Sequence, residues 1–149
     1  VDYTMECLTH YDRADILRRY HHIGQDESEA DDIDGNEALD IAVFDYRGEP
    51  QYVAEIEFES NNTEAVVNDY LQMADVDAKA IWVTDSKATA KSIFNALEGS
   101  DNDELDISDP ISGRETRTLD SMREALRERD WDGMDQIWTL RKLKERFEI

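Results

Sequence analysis

A chain of 149 residues, 40% of them hydrophobic, has enough apolar material for one domain with a packed core, so a second domain is not required. Its 37 Asp and Glu against 16 Lys and Arg give a formal charge of −21, which disfavours indiscriminate contact with phosphate backbones and excludes a basic nucleic-acid-coating protein. No apolar run approaches the roughly 20 residues of a membrane span, no charged-then-apolar leader is present, and the lone Cys7 cannot form an internal disulfide, so a cytoplasmic protein with no membrane contact is expected.

The acidity has two readings. Adaptation to concentrated salt is favoured, because screening shrinks to about 3 Å at 1 M and self-repulsion then loses its force. The alternative is an acidic DNA mimic that binds a basic partner. Beginning at Val1 without a Met, the chain is expected to be a processed product or a piece of a longer one.

In chain order, Asp12 to Ile23 places Ile16, Leu17, Tyr20 and Ile23 at helical spacing, with Asp12 as N-cap and Gly24 as stop. Residues 25–38 hold seven acids and read as a solvated loop. From Asp40, the runs Ile41 to Phe44 and Tyr52 to Phe58 flank Gly48 and Pro50 and predict a β-hairpin. Asn61 to Met73 predicts a helix, with Asn61 and Asn62 as capping residues, and Ala80 to Thr84 a buried strand. Asp85 or Ser86 then caps a helix that runs through Ile93, Phe94 and Leu97 to Gly99.

Residues 100–114 read as a long loop. Beyond it, Leu119, Met122 and Leu126, then Ile137, Trp138, Leu140, Leu143 and Phe147, predict two amphipathic helices. Their many basic residues are read as partners of interleaved acids rather than as a nucleic-acid-facing patch. The expected fold is α/β, a mixed central sheet flanked by helices. Residues 1–99 form its core with an N-terminal helix, and residues 100–149 form a C-terminal helical extension of the same domain.

The chemistry resides in the hairpin. With a two-residue loop at Gly48-Glu49, Asp40 faces Glu57 and Ala42 faces Glu55. Strand alternation then puts Asp40, Glu55 and Glu57 on one face and Ile41, Val43, Ala54, Ile56 and Phe58 on the other, an acidic face and a core face. A one-residue slip would disperse the acids. Three carboxylates within reach need a cation or raised pKa values to coexist, and Mg²⁺ or Mn²⁺ bound by carboxylates, waters and a substrate phosphate is the arrangement that phosphodiester cleavage uses.

Asp40, fourteen intervening residues, Glu55-Ile56-Glu57, then a helix and the strand Ala80 to Thr84, resembles the PD-(D/E)XK nuclease superfamily over about residues 36 to 98. The resemblance implies a restriction-endonuclease-like core, Asp40 and Glu55 as ligands of a divalent cation, and DNA as the partner. A homodimer or a larger DNA-processing assembly would follow.

Two positions depart from the pattern. Leu39 stands where Pro is usual, and Glu57 stands where a Lys usually orients the attacking water; in some active members a Glu there binds metal or acts as general base. The function implied is a metal-dependent DNA phosphodiesterase, with a catalytically inactive interaction module of a DNA-handling or mobile-element assembly as the alternative.

Gln72 resembles a Gln that some branches place near the site. Tyr70 is read as packing and Lys87 and Lys91 as solvated. Cys7, His10, His21 and His22 are not expected to form a zinc site, because adjacent histidines on a helix diverge by about 100°.

Overall fold

The computed structural model describes residues 6–12, 38–45, 47–58, 62–105, 107, 109–111 and 113–147. Five strands and four helices appear there: β1 (Glu6–Asp12), β2 (Ala38–Phe44), β3 (Pro50–Glu57), α1 (Thr63–Ala74), β4 (Lys79–Thr84), α2 (Lys87–Glu98), α3 (Leu119–Arg127), β5 (Gln136–Thr139) and α4 (Leu140–Phe147). The strands lie in one mixed sheet in sequence order. β1, β2 and β3 are successively antiparallel, whereas β4 and β5 run parallel to their inner neighbours. The expected α/β class with a mixed sheet flanked by helices is what the chain adopts, and among the described residues no helix is long and apolar enough to cross a membrane.

Local chemistry sets the element ends. Asn62 caps α1 by accepting the Ala65 N–H, Ser86 caps α2 through the Thr89 N–H, and Thr118 and Ser121 form a reciprocal capping box on α3. Trp82 on β4 is wholly buried, and its indole N–H donates to the Gly133 carbonyl at 2.8 Å. Tyr70 of α1 packs edge-on to Trp131. The segment before β5 is thereby clamped between α1 and the sheet.

Three expectations are corrected. Ile137 and Trp138 lie on the strand β5 rather than a helix, so the last 50 residues are not wholly helical. Their Ile-Trp-Thr run suits a pleated edge position beside Trp82 and Val83, and this tertiary pairing outweighs the helical spacing of the apolar residues. The hairpin loop is not two residues long: Phe44 pairs with Pro50, leaving residues 45–49 as the turn. Asp45 organises it by accepting the N–H groups of Arg47 and Glu49, each at 2.9 Å, and Gly48 takes the left-handed conformation at φ 80°.

The third correction concerns the sheet faces. Ala42, Phe44 and Val53, on the face of Asp40 and Glu55, are completely buried, whereas Ile41, Val43 and Ala54 are only half-buried and Ile56 is 42% exposed. The acidic face is therefore the main core face. β1 had no counterpart in the expected elements. The predicted helix from Asp12 to Ile23 lies outside the described residues except for Asp12, which closes β1, and the acid-rich loop lies outside them up to residue 37.

Candidate functional site

β2 and β3 pair with Ile41 opposite Ala54 and Ala42 opposite Val53, so the next position brings Asp40 opposite Glu55. This register differs by two residues from one that opposes Asp40 to Glu57. An even shift preserves the face, and Asp40, Glu55 and Glu57 remain together on it. The Asp40 carboxylate accepts the Ile56 N–H at 2.8 Å. It thus takes over a ladder position that a backbone carbonyl would normally fill.

β4 supplies the next file of the sheet, with Trp82 beside Glu55 and Thr84 beside Glu57. Both β4 residues are wholly buried, and Glu55 itself is only 5% exposed. Its pKa rises from 4.5 to about 10, first because burial strips water from the carboxylate, then through the charge of Asp69, a hydrogen bond with Asp40 and the charges of Asp40 and Glu57. Protonated Glu55 can donate to the Asp40 carboxylate. Its Oε1 is enclosed without a hydrogen-bond partner.

Asp69 is a fourth acid that hairpin reasoning missed. It lies on α1, whose buried residues include Val66, Tyr70 and Met73, and its pKa is raised to about 7 by burial, then by Glu57 and Asp40. A signal was available: Asp69 falls three residues after Val66 and four before Met73, within the apolar stripe, where an unpaired acid is unusual. Gln72, one turn further, is 8% exposed and leaves its Oε1 enclosed and unpartnered. Every charged neighbour that shifts Glu55 or Asp69 is acidic.

The remaining candidates take ordinary roles. Tyr70 is 3% exposed and packs in the core. Lys87 and Lys91 are exposed on α2, and the Lys87 ammonium donates to the Arg117 carbonyl. Asn62 caps α1, while Asn61 lies outside the described residues. Cys7 and His10 fall on β1, and His21 and His22 lie outside the described residues.

The four acids, Asp40, Glu55, Glu57 and Asp69, offer only oxygen donors. That chemistry suits a hard divalent cation, and the enclosed Oε1 of Glu55 is an acceptor such an ion would satisfy. As they stand, no three Asp, Glu, His or Cys side chains among the described residues form a group able to hold a metal ion. The acids act on one another electrostatically without being converged, and of the four only Glu55 is fully buried. Compared with protein-family models, curated proteins and solved structures, the chain matches none.

Proposed function

We propose that the chain is a metal-dependent DNA phosphodiesterase with a PD-(D/E)XK, restriction-endonuclease-like core, or a DNA-processing module derived from one. The observation that carries this reading is the carboxylate cluster on β2, β3 and α1, in which the buried Glu55 is pushed to about 10 by burial and by its half-buried acidic neighbours. Such a cluster opposes folding unless protons or a cation neutralise it, and Mg²⁺ or Mn²⁺ is the kind of cation that oxygen donors take up. The order hairpin, helix, parallel strand also supports it.

In this reading Asp40 and Glu55 hold the cation, Glu57 ligates it or accepts the proton of the attacking water, and Gln72 and Asp69 line the α1 side. The bound ion would supply charge neutralisation at the phosphate and an acidified water. Binding requires Glu55 to lose its proton, so affinity for the ion rises with pH from neutrality towards 10.

A second reading, an inactive interaction module in a DNA-handling assembly, is favoured by one observation: the Asp40 carboxylate is already committed to the Ile56 N–H. Calorimetric titration with Mn²⁺ at about pH 9 and cleavage of supercoiled DNA separate the two. The nuclease binds Mn²⁺ and cuts only with it, and Asp40→Asn, which keeps an oxygen acceptor for Ile56, weakens Mn²⁺ binding at least tenfold without unfolding the protein. Binding without cleavage assigns the inactive module. Absent binding in the parent protein would remove the metal-site reading altogether.

A further inference from the structure

At the other end of β4 the charge of the molecule reverses. Lys79 opens this strand five residues before Thr84, the neighbour of Glu57, a separation of about 16 Å along an extended chain. Gln136 opens β5 beside it. α3 packs against β5 and brings Arg123 and Arg127 to the same place, so that these four residues, with Asp130 and Asp135, line a cleft of about 320 Å³.

Some of the lining is already engaged. Arg129 forms a salt bridge with Glu115 at 3.0 Å, and Asp135 accepts the Ala80 N–H at 2.7 Å. Among the described residues Lys79, Arg123 and Arg127 make no ion pair, and Asp130 is the one acid of the cleft left beside them. Three cations without an ion-pair partner around one cavity are unexpected in a chain of charge −21.

Structural duties account for part of this arrangement. The Arg123 guanidinium lies 3.5 Å over the Trp138 ring, and Arg127 occupies the last turn of α3, where the helix dipole favours a cation. Two facts remain. Arg123 and Arg127, four residues apart on one helix, repel each other; burial, then Arg127 and Arg146, depress the Arg123 pKa, against a partial offset from Asp120. The Nε–H of Arg123 is also enclosed with no acceptor, and stacking on Trp138 cannot supply one. Gln136 adds donors: its Oε1 accepts the Trp138 indole N–H at 3.0 Å, which leaves its NH₂ free to donate.

We propose that this cleft binds a phosphate monoester, its dianion held by Arg123, Arg127 and Lys79. A forked guanidinium matches phosphate oxygens, and the cavity has room for the phosphate and part of the group that carries it. A free small-molecule ester and the terminal phosphate of a nucleic-acid strand present the same chemistry.

Calorimetric titrations with inorganic phosphate, a nucleoside 5′-monophosphate and an oligonucleotide with or without a 5′-phosphate test the site. Expected are saturable binding of the monophosphate, more tightly than inorganic phosphate, and a loss of about tenfold or more in each of Arg127→Gln and Lys79→Gln. Arg141→Gln, on exposed α4 and paired with Glu145, should leave binding unchanged. Arg123→Lys retains the charge without the fork and should bind more weakly than the parent. Should that variant unfold, the exposed Arg127 and Lys79 variants decide.

Oligonucleotide binding that vanishes on removal of the 5′-phosphate assigns a strand terminus, and monophosphate binding alone assigns a free ester. No saturable binding of any probe up to about 10 mM, or binding indifferent to both the Arg127 and Lys79 variants, would overturn the proposal.

Discussion

Glu55 concentrates the physical tension of the site in one side chain. With a pKa of about 10 when folded against 4.5 in the open chain, it holds a proton in the native state across a range where the unfolded state has released it. The folded state then binds more protons, so this group's contribution to stability is fully present below about pH 4.5 and is lost as pH rises towards 10, with a slope of at most about 1.4 kcal/mol per pH unit. Asp69 adds a decline of the same sign between 3.8 and about 7. Glu55→Gln keeps the shape and cannot ionise, so its metal-free melting temperature should exceed that of the parent at pH 9 and fall less between pH 7 and 9. Equal slopes for the two proteins would show that Glu55 is not buried as a neutral acid. At this scale the hairpin acids were legible because strand alternation needs only parity. Asp69 depends on where α1 lies across the sheet, which spacing within the hairpin does not encode.

Elements with a strong local signal were readable to within a residue or two: α1, β4 and α2 carry apolar periodicity and side-chain caps at Asn62 and Ser86. The elements missed or misread depend on partners far along the chain. β5 is four residues long and is a strand because β4 offers it a parallel ladder; the turn at residues 45–49 is set by Asp45, whose side chain competes for backbone donors and lengthens the loop. The contact between α1 and the segment before β5 is close enough to test. A Cβ on Gly133 would run into the Tyr70 carbonyl oxygen and come within 2.7 Å of its ring, so Gly133→Ala should lower stability by about 1–3 kcal/mol and, by displacing α1, weaken the coupling of Asp69 to the sheet acids. Gly113→Ala, where a Cβ meets nothing within 4 Å, is the matched control and should change stability by less than about 0.5 kcal/mol. Similar melting of the two variants would refute the tight α1 contact.

Over the whole molecule the formal net charge of −21 opposes compaction, a charge in which Glu55 is counted as ionised although it holds its proton at neutral pH. From dilute buffer to about 1 M KCl, where the screening length is about 3 Å, the melting temperature should rise by roughly 5 °C or more, the shift that about 2 kcal/mol produces in a domain of this size. A flat response would mean that the surface acids are already neutralised by their neighbours. The acids and the basic cleft differ in sign, and each has its own indole, on opposite faces of the sheet: Trp82 pairs with Glu55, whereas Trp138 pairs with Val83, one residue further along β4, and lies under Arg123. Light absorbed by the native protein is therefore re-emitted from fluorophores that sense different local fields. Ionisation of Glu55 acts on Trp82 and an anion in the cleft on Trp138; with the third indole, Trp131, replaced by Phe, further single Trp→Phe replacements sort the two signals, so the protein needs no attached dye to show which of the two places has gained a ligand.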